Sequence, residues 1–357
     1  MNTDRDIGRE AVLRIAENWQ VDEDRLVWTE NGFDWWPGSF KVSVNCLKSD
    51  LETHGDAWRL TARTALFSNV SVDDPKTRNL IGILSNFAPT YAWVYAPVEL
   101  AEQHKELVDR TVWLQSTVYL REDTAEWLPE FFGRLAILQP IHAQSDFEPD
   151  GQLLGAQPDF SFPPESTASD HIDDMLNVAD ALYIPAGQQP SRWEGSDEFG
   201  ELAEQYGRND MCFGHGDPKG VTLETPIGSD SALIRLHTNS PHPILGSGLL
   251  ATLQLPFWKD EMEITDECMW LNYIQSWMWT DFPQLGSWFA KDNGDGQWES
   301  RHSMFFPNAL YKPGLATNAA LWQVGHARWV KQKLWPDLVD LTMLEIMEKR
   351  ENIFSST

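Results

Sequence analysis

Gly214 to Gly220, "GHGDPKG", is glycine-rich enough to cradle a phosphate. It lacks the Gly-Lys-Ser/Thr ending that supplies a P-loop with its lysine and its magnesium-binding hydroxyl, and reads as a strand-connecting turn. "GSG" at Gly246 to Gly248 is too short for a dinucleotide fingerprint. His237 and His242, in "HTNSPH", are two neighbouring imidazoles, whereas zinc takes three or four converging ligands. They read as loop histidines, and neither a metal nor a cofactor is expected. "DHIDD" (Asp170 to Asp174) is explained by the preference of carboxylates for a helix N-terminus. "DNGDG" (Asp292 to Gly296) misses the alternating ligand ladder of a calcium loop and reads as a hairpin turn.

Neither a Gly-x-Ser-x-Gly elbow nor a His-Glu-x-x-His pair occurs. In so acidic a chain any chosen carboxylate pair carries little information. The most suggestive stretch is "FDWWPGSF" (Phe33 to Phe40), where Trp35 and Trp36 are adjacent. On an extended chain neighbours point to opposite faces, so one ring enters the core. The other goes towards solvent or a partner, unless a linker or second domain covers it. Trp35 and Trp36 are therefore the candidate partner-binding residues, and no catalytic residue is expected.

The composition narrows the setting. A net charge of −27, from 54 acidic and 27 basic residues, disfavours nucleic-acid binding and favours basic partners. Three scattered cysteines, Cys46, Cys212 and Cys268, suit buried thiols better than a disulfide framework. The polar start "MNTDRDIGREAV" has no signal-peptide core, and no apolar run reaches membrane-spanning length. The expectation is a cytoplasmic protein with no membrane partner. Eighteen tryptophans serve cores and interfaces alike.

The elements that must position these residues follow from periodicity. Ile7, Ala11, Val12, Ile15, Ala16 and Trp19 give an opening helix. Asn31-Gly32 marks a hairpin. Phe40, Val42, Val44 and Cys46 alternate with polar residues as one strand, and Asp56 to Phe67 forms the next, with Arg59, Thr61 and Arg63 on its polar face. Asp74-Pro75 opens a helix, "YAWVYA" and "RTVWLQSTVYL" are strands, and Asp123 with Glu126 resembles a capping box before a helix that stops at Pro140.

Residues 141–170 lose periodicity and read as a linker. A helical stripe (Ile172 to Leu182), a polar insertion around 184–200 and a further run of strands follow. Thr265 is read as the cap of a helix carrying Met269, Trp270, Tyr273, Ile274, Trp277 and Met278.

The order then repeats. "AEWLPEFFGRL" after "TVWLQSTVYL" is echoed by "ALWQVGHARWV" after "WESRHSMFF", "TARTALF" by "TLQLPF", and Trp93 by Trp288, at separations of roughly 185–195 residues. The fold class is α+β: two tandem α-β-β-β-α-β-β-α modules with antiparallel sheets, at 1–140 and 171–357. This order, in an acidic module of that size, resembles the type III secretion chaperone-like fold, including YbjN-type bacterial proteins. The resemblance implies a tandem pseudo-dimer that binds protein segments along its sheet and helix surfaces and carries no catalytic residues. The function expected is therefore non-enzymatic binding of a partner with a basic or apolar segment. The alternatives are a carbohydrate-active enzyme using tryptophan platforms with a carboxylate pair, and a structural subunit of an assembly.

Overall fold

The computed structural model describes residues 6–21, 23–49, 56–68, 70, 75–86, 88–95, 111–143, 157–158, 189–208, 213–227, 230–243, 245–277, 280, 282–294 and 296–331. The chain folds as α+β around two antiparallel sheets. The first half runs α1 (Ile7–Trp19), β1 (Leu26–Trp28), β2 (Gly32–Trp35), β3 (Val42–Lys48), β4 (Trp58–Ser68), α2 (Pro75–Asn86), β5 (Ala92–Tyr95), β6 (Val112–Leu120) and α3 (Leu128–Ala136). After β7 (Gln157–Pro158), the second half runs α4 (Asp197–Gly207), β8 (Phe213–Asp217), β9 (Gly220–Ile227), β10 (Asp230–His237), β11 (Gly248–Lys259), α5 (Glu261–Trp277), β12 (Ser287–Asp292), β13 (Trp298–Pro307) and α6 (Leu315–Trp329).

The two sheets have the same strand order, β1-β2-β3-β4-β6-β5 and β8-β9-β10-β11-β13-β12, with β7 added beside the end of β4. Each half has four strands before its middle helix, one more than in the expected α-β-β-β-α-β-β-α order. Strand β1 is three residues long, too short to alternate visibly. The registers also agree. Phe33 faces Val44 and Val44 faces Ala62; in the second half Val221 faces Leu236 and Leu236 faces Ala251. Trp93 faces Leu114, and Trp288 takes the same place opposite His302.

The helical residues that close each half, 138–143 just after α3 and those of α6, match through buried polar contacts. Gln139 Nε2 donates to the Ala62 carbonyl at 3.3 Å, and Gln323 Nε2 donates to the Ala251 carbonyl at 3.0 Å. Three residues on, His142 stands edge-on to Trp93 at 5.6 Å and His326 edge-on to Trp288 at 5.9 Å. A Gln-x-x-His repeat, "QPIH" and "QVGH", thus replaces the helix alignment read from apolar residues, which was about three turns out of step.

Packing between the halves is reciprocal. Helix α2 lies on β12, α5 lies on β5, and α2 crosses α5. Thr117 on β6 exchanges main-chain hydrogen bonds with Gln284, just before β12, while Phe305 on β13 donates to Pro89, just before β5. Such i-to-j, j-to-i contacts are the pattern of an isologous interface.

Several boundaries differ from expectation. Helix α3 has Trp127 at its N-cap with no side-chain cap, and Pro129 in its first turn fixes the start instead of Asp123. Helical residues continue past Pro140 to Ala143, with Ile141 and Ala143 buried, so the linker's first residues belong to the core. Asp260, not Thr265, accepts from the first turn of α5 at Glu263 N; Thr265 lies inside the helix, bonded to Glu261 O. Trp193 is fully buried against Tyr311, and Ser196 caps α4, so this part of the expected insertion is structured. The stripe Ile172 to Leu182 and the rest of 141–170, β7 apart, lie outside the described residues. Among the described residues no helix is long and apolar enough to cross a membrane.

Candidate functional site

Trp35 and Trp36 do not divide between core and surface. Trp35 packs on Trp19 with ring centroids 5.3 Å apart. They are 7% and 6% exposed. Strand β2 ends at Trp35 and the chain bends over residues 37–40, so strict alternation no longer governs Trp36. Lys41 Nζ sits 5.9 Å above the Trp36 ring. The outer ring is covered.

The open aromatic surface is on the neighbouring strand. Trp28, 51% exposed, stands on β1, the end strand of the first sheet, beside the half-exposed Leu13 of α1. Between α1 and the β1–β2 hairpin lies a groove of about 600 Å³ whose wall runs from Asp6, Arg9 and Val12 across to Trp28, Glu30 and Trp58. Gly8 lets α1 sit low here: a Cβ would come within 2.8 Å of Trp58 Cδ1. Lys48 Nζ sits over the Trp58 ring at 5.1 Å. Burial, reinforced by Asp6, pushes the Cys46 thiol in the groove wall up to about 12, so it stays protonated and is a poor nucleophile.

The groove exists because the two halves differ at one pair of positions. Leu26 and Trp28 face Trp35 and Phe33; in the second half Gly214 and Gly216 face Leu223 and Val221 in the same register. A Cβ on Gly214 would lie 2.5 Å from the Ala203 carbonyl oxygen, and one on Gly216 2.6 Å from that of Phe199. The glycines let α4 lie directly on β8 and β9. With leucine and tryptophan there, α1 instead packs over β2, β3, β4 and α3, leaving space beside β1. One copy of the arrangement is closed and the other open.

The open copy also offers main chain. Trp36 N donates to Arg25 O and Thr29 N to Gly32 O, so residues 25, 27 and 29 bond inwards to β2. By antiparallel alternation the peptide groups of Leu26 and Trp28 face the free edge, where no other described strand pairs. Glu23, Asp24 and Glu30 flank this edge and are exposed.

The other chemistry-bearing stretches are structural. "GHGDPKG" is the β8–β9 hairpin and "DNGDG" lies at the β12–β13 turn. His237 Nδ1 bonds Asn239 Oδ1 at 2.6 Å, and His242 Nδ1 accepts from Leu245 N at 3.2 Å. Among the described residues no three His, Cys, Asp or Glu side chains gather as metal ligands. No protein-family model, curated protein or solved structure matches this chain. The groove is therefore read on its own geometry. Trp28 was missed because β1 is short; its signal was a large aromatic beside an Asn-Gly turn, flanked by acids.

Proposed function

We propose that this chain is a non-enzymatic protein-binding protein, chaperone-like or adaptor, which takes an extended partner segment into the groove between α1 and β1. One observation carries the reading: the groove beside β1, with an exposed tryptophan and outward peptide groups, is open where the matching position of the second half is filled by its own helix. An unpaired edge supplies hydrogen bonds to an added strand, and side-chain pockets choose its residues. The acidic flanks and the charge of −27 favour a segment that is apolar at alternate positions and basic around them. The repeated element order and the reciprocal packing suit the type III secretion chaperone-like resemblance, with one chain doing the work of a dimer. A cytoplasmic setting belongs to the same proposal. Because the groove is open in this copy and filled by α4 in the other, one partner segment per chain is expected in it.

A carbohydrate-directed site has one point in its favour, since Trp28, Asp6 and Glu30 line the same groove. A photo-crosslinking residue at position 28, compared with one at Lys291, separates the readings. Position 28 should capture a defined protein segment at one per chain, and Trp28→Ala should weaken that complex by about 2 kcal/mol, roughly thirty-fold in Kd. Equal capture at both positions, or a response of Trp28 fluorescence to oligosaccharides instead, would reject the protein-binding reading. Stoichiometric capture of one large assembly through many positions would support the structural-subunit role.

A further inference from the structure

Two imidazoles stack in the core of the second half. His302 on β13 and His326 on α6 have ring centroids 4.0 Å apart, tilted by 28°, and both are fully buried. Phe282 lies 4.3 Å from His326, and Trp288 lies 5.1 Å from His302. Gln275 Oε1 accepts from Trp288 Nε1 at 3.1 Å, so its Nε2 donates to His326 Nε2 at 2.8 Å. His326 Nδ1 therefore carries the proton and donates to Trp322 O at 2.7 Å. His302 Nδ1 donates to Gln323 Oε1 at 3.1 Å, and its Nε2 has no hydrogen-bond partner. Every bond fits two neutral rings.

No described charged group faces the pair. Strand β12 presents Trp288, β11 the Ala251 carbonyl, α5 Gln275, and α6 Gln323. Arg301 points to the opposite face of β13 and pairs with Glu299; Arg328 is exposed; Glu267 faces Lys259 and Ser300. The same cluster backs the contact between the halves, since Trp288 is on the strand that receives α2 and Gln275 on the helix that packs against β5. The first half has Leu114 where the second has His302.

We infer that the stacked His302–His326 pair is a proton-operated latch: protonating either ring breaks the second core at the strand and helix that hold the two halves together. Burial holds His302 down at about 3, and burial with the adjacent His302 holds His326 well below the usual 6.5. Unfolded histidines take up protons below about 6.5, whereas these do not while folded, so stability is complete above that pH and falls as pH drops. At pH 5 His302 shifts the unfolding equilibrium by roughly thirty-fold, and His326 adds to it in the same direction. Glu267 acts in the opposite sense, because burial raises its carboxyl and protonation favours the folded form.

The test compares the full chain with His302→Leu, which copies the first half. Urea unfolding at pH 7.5 and pH 5 should show a large loss of stability in the wild type and about thirty-fold less in the variant. Hydrogen exchange at pH 5 should show β12 and α2 losing protection together, and to a smaller extent in the variant, which keeps His326. Identical pH dependence in the two proteins overturns the inference. If His302→Leu does not fold, imidazole NMR of the wild type decides: two rings that stay neutral down to the acid transition support the latch, and nine that all titrate near the ordinary value reject it.

Discussion

Arg59→Ala is expected to loosen the junction between the halves at a cost of about 3 kcal/mol. Helix α5 ends against the outer face of the first sheet with no basic residue in its own last turn. The first half supplies the cation. Arg59 Nη1 donates to Trp277 O at 3.1 Å and Nη2 donates to Ser276 O. Gln115 Nε2 adds a bond to Ser276 O at 2.9 Å. A guanidinium on helix-end carbonyls is both a charge-assisted hydrogen bond and a favourable partner for the macrodipole. Removing it leaves a half-buried carbonyl pair with one neutral donor between them.

Beside it Arg63 is held between the rings of Trp113 and Trp277, at 4.9 and 5.0 Å, and bonds Gln115 Oε1. Burial, and repulsion from Arg59, lower the Arg63 guanidinium to about 10, still charged at neutral pH. The urea midpoint of the full chain measures the Arg59→Ala loss. Arg59→Lys should recover only part of it, because an ammonium lacks the fork that reaches both carbonyls. A change in Arg59→Ala below about 0.5 kcal/mol, within the range of an ordinary surface substitution, would mean that this clamp does not hold the halves together.

The polar face that builds the clamp was legible. Arg59, Thr61 and Arg63 alternate with Leu60, Ala62 and Thr64, and β4 is buried on that period. Strand β3 and helix α1 were readable for the same reason, one wet side and one dry. What escaped were features set by tertiary contact. Gln139 and Gln323 look like surface residues in sequence, yet both are fully buried and bond a strand carbonyl, so apolar periodicity aligned α3 with the wrong turn of α6. Trp36 escaped because the strand ends one residue before it. The candidate site escaped because its opening depends on comparing Leu26 and Trp28 with Gly214 and Gly216, a match that only strand register establishes.

Gly32→Ala and Gly220→Ala should both be severe, and in that order. The two glycines open β2 and β9, the second strand of each half, and each sits against the same carbonyl of the next strand. A Cβ on Gly32 would lie 1.8 Å from Val44 O, and one on Gly220 2.3 Å from Leu236 O. Val44 and Leu236 are matched in register, and each is paired with a strand on both sides, so the oxygen cannot swing aside without breaking strand pairing. Overpacking against a fixed backbone costs typically 1–3 kcal/mol and sometimes more; about 3 kcal/mol or above is expected at Gly32. Gly207→Ala is the control, since a Cβ there meets nothing within 4 Å, and it should be neutral or slightly stabilising. Function should divide the two severe variants. Gly32 borders the groove, so Gly32→Ala at a temperature where it stays folded should lose partner capture at position 28, whereas Gly220→Ala should keep it. A Gly220→Ala protein as stable as wild type would show that the two hairpins are built differently despite their common register.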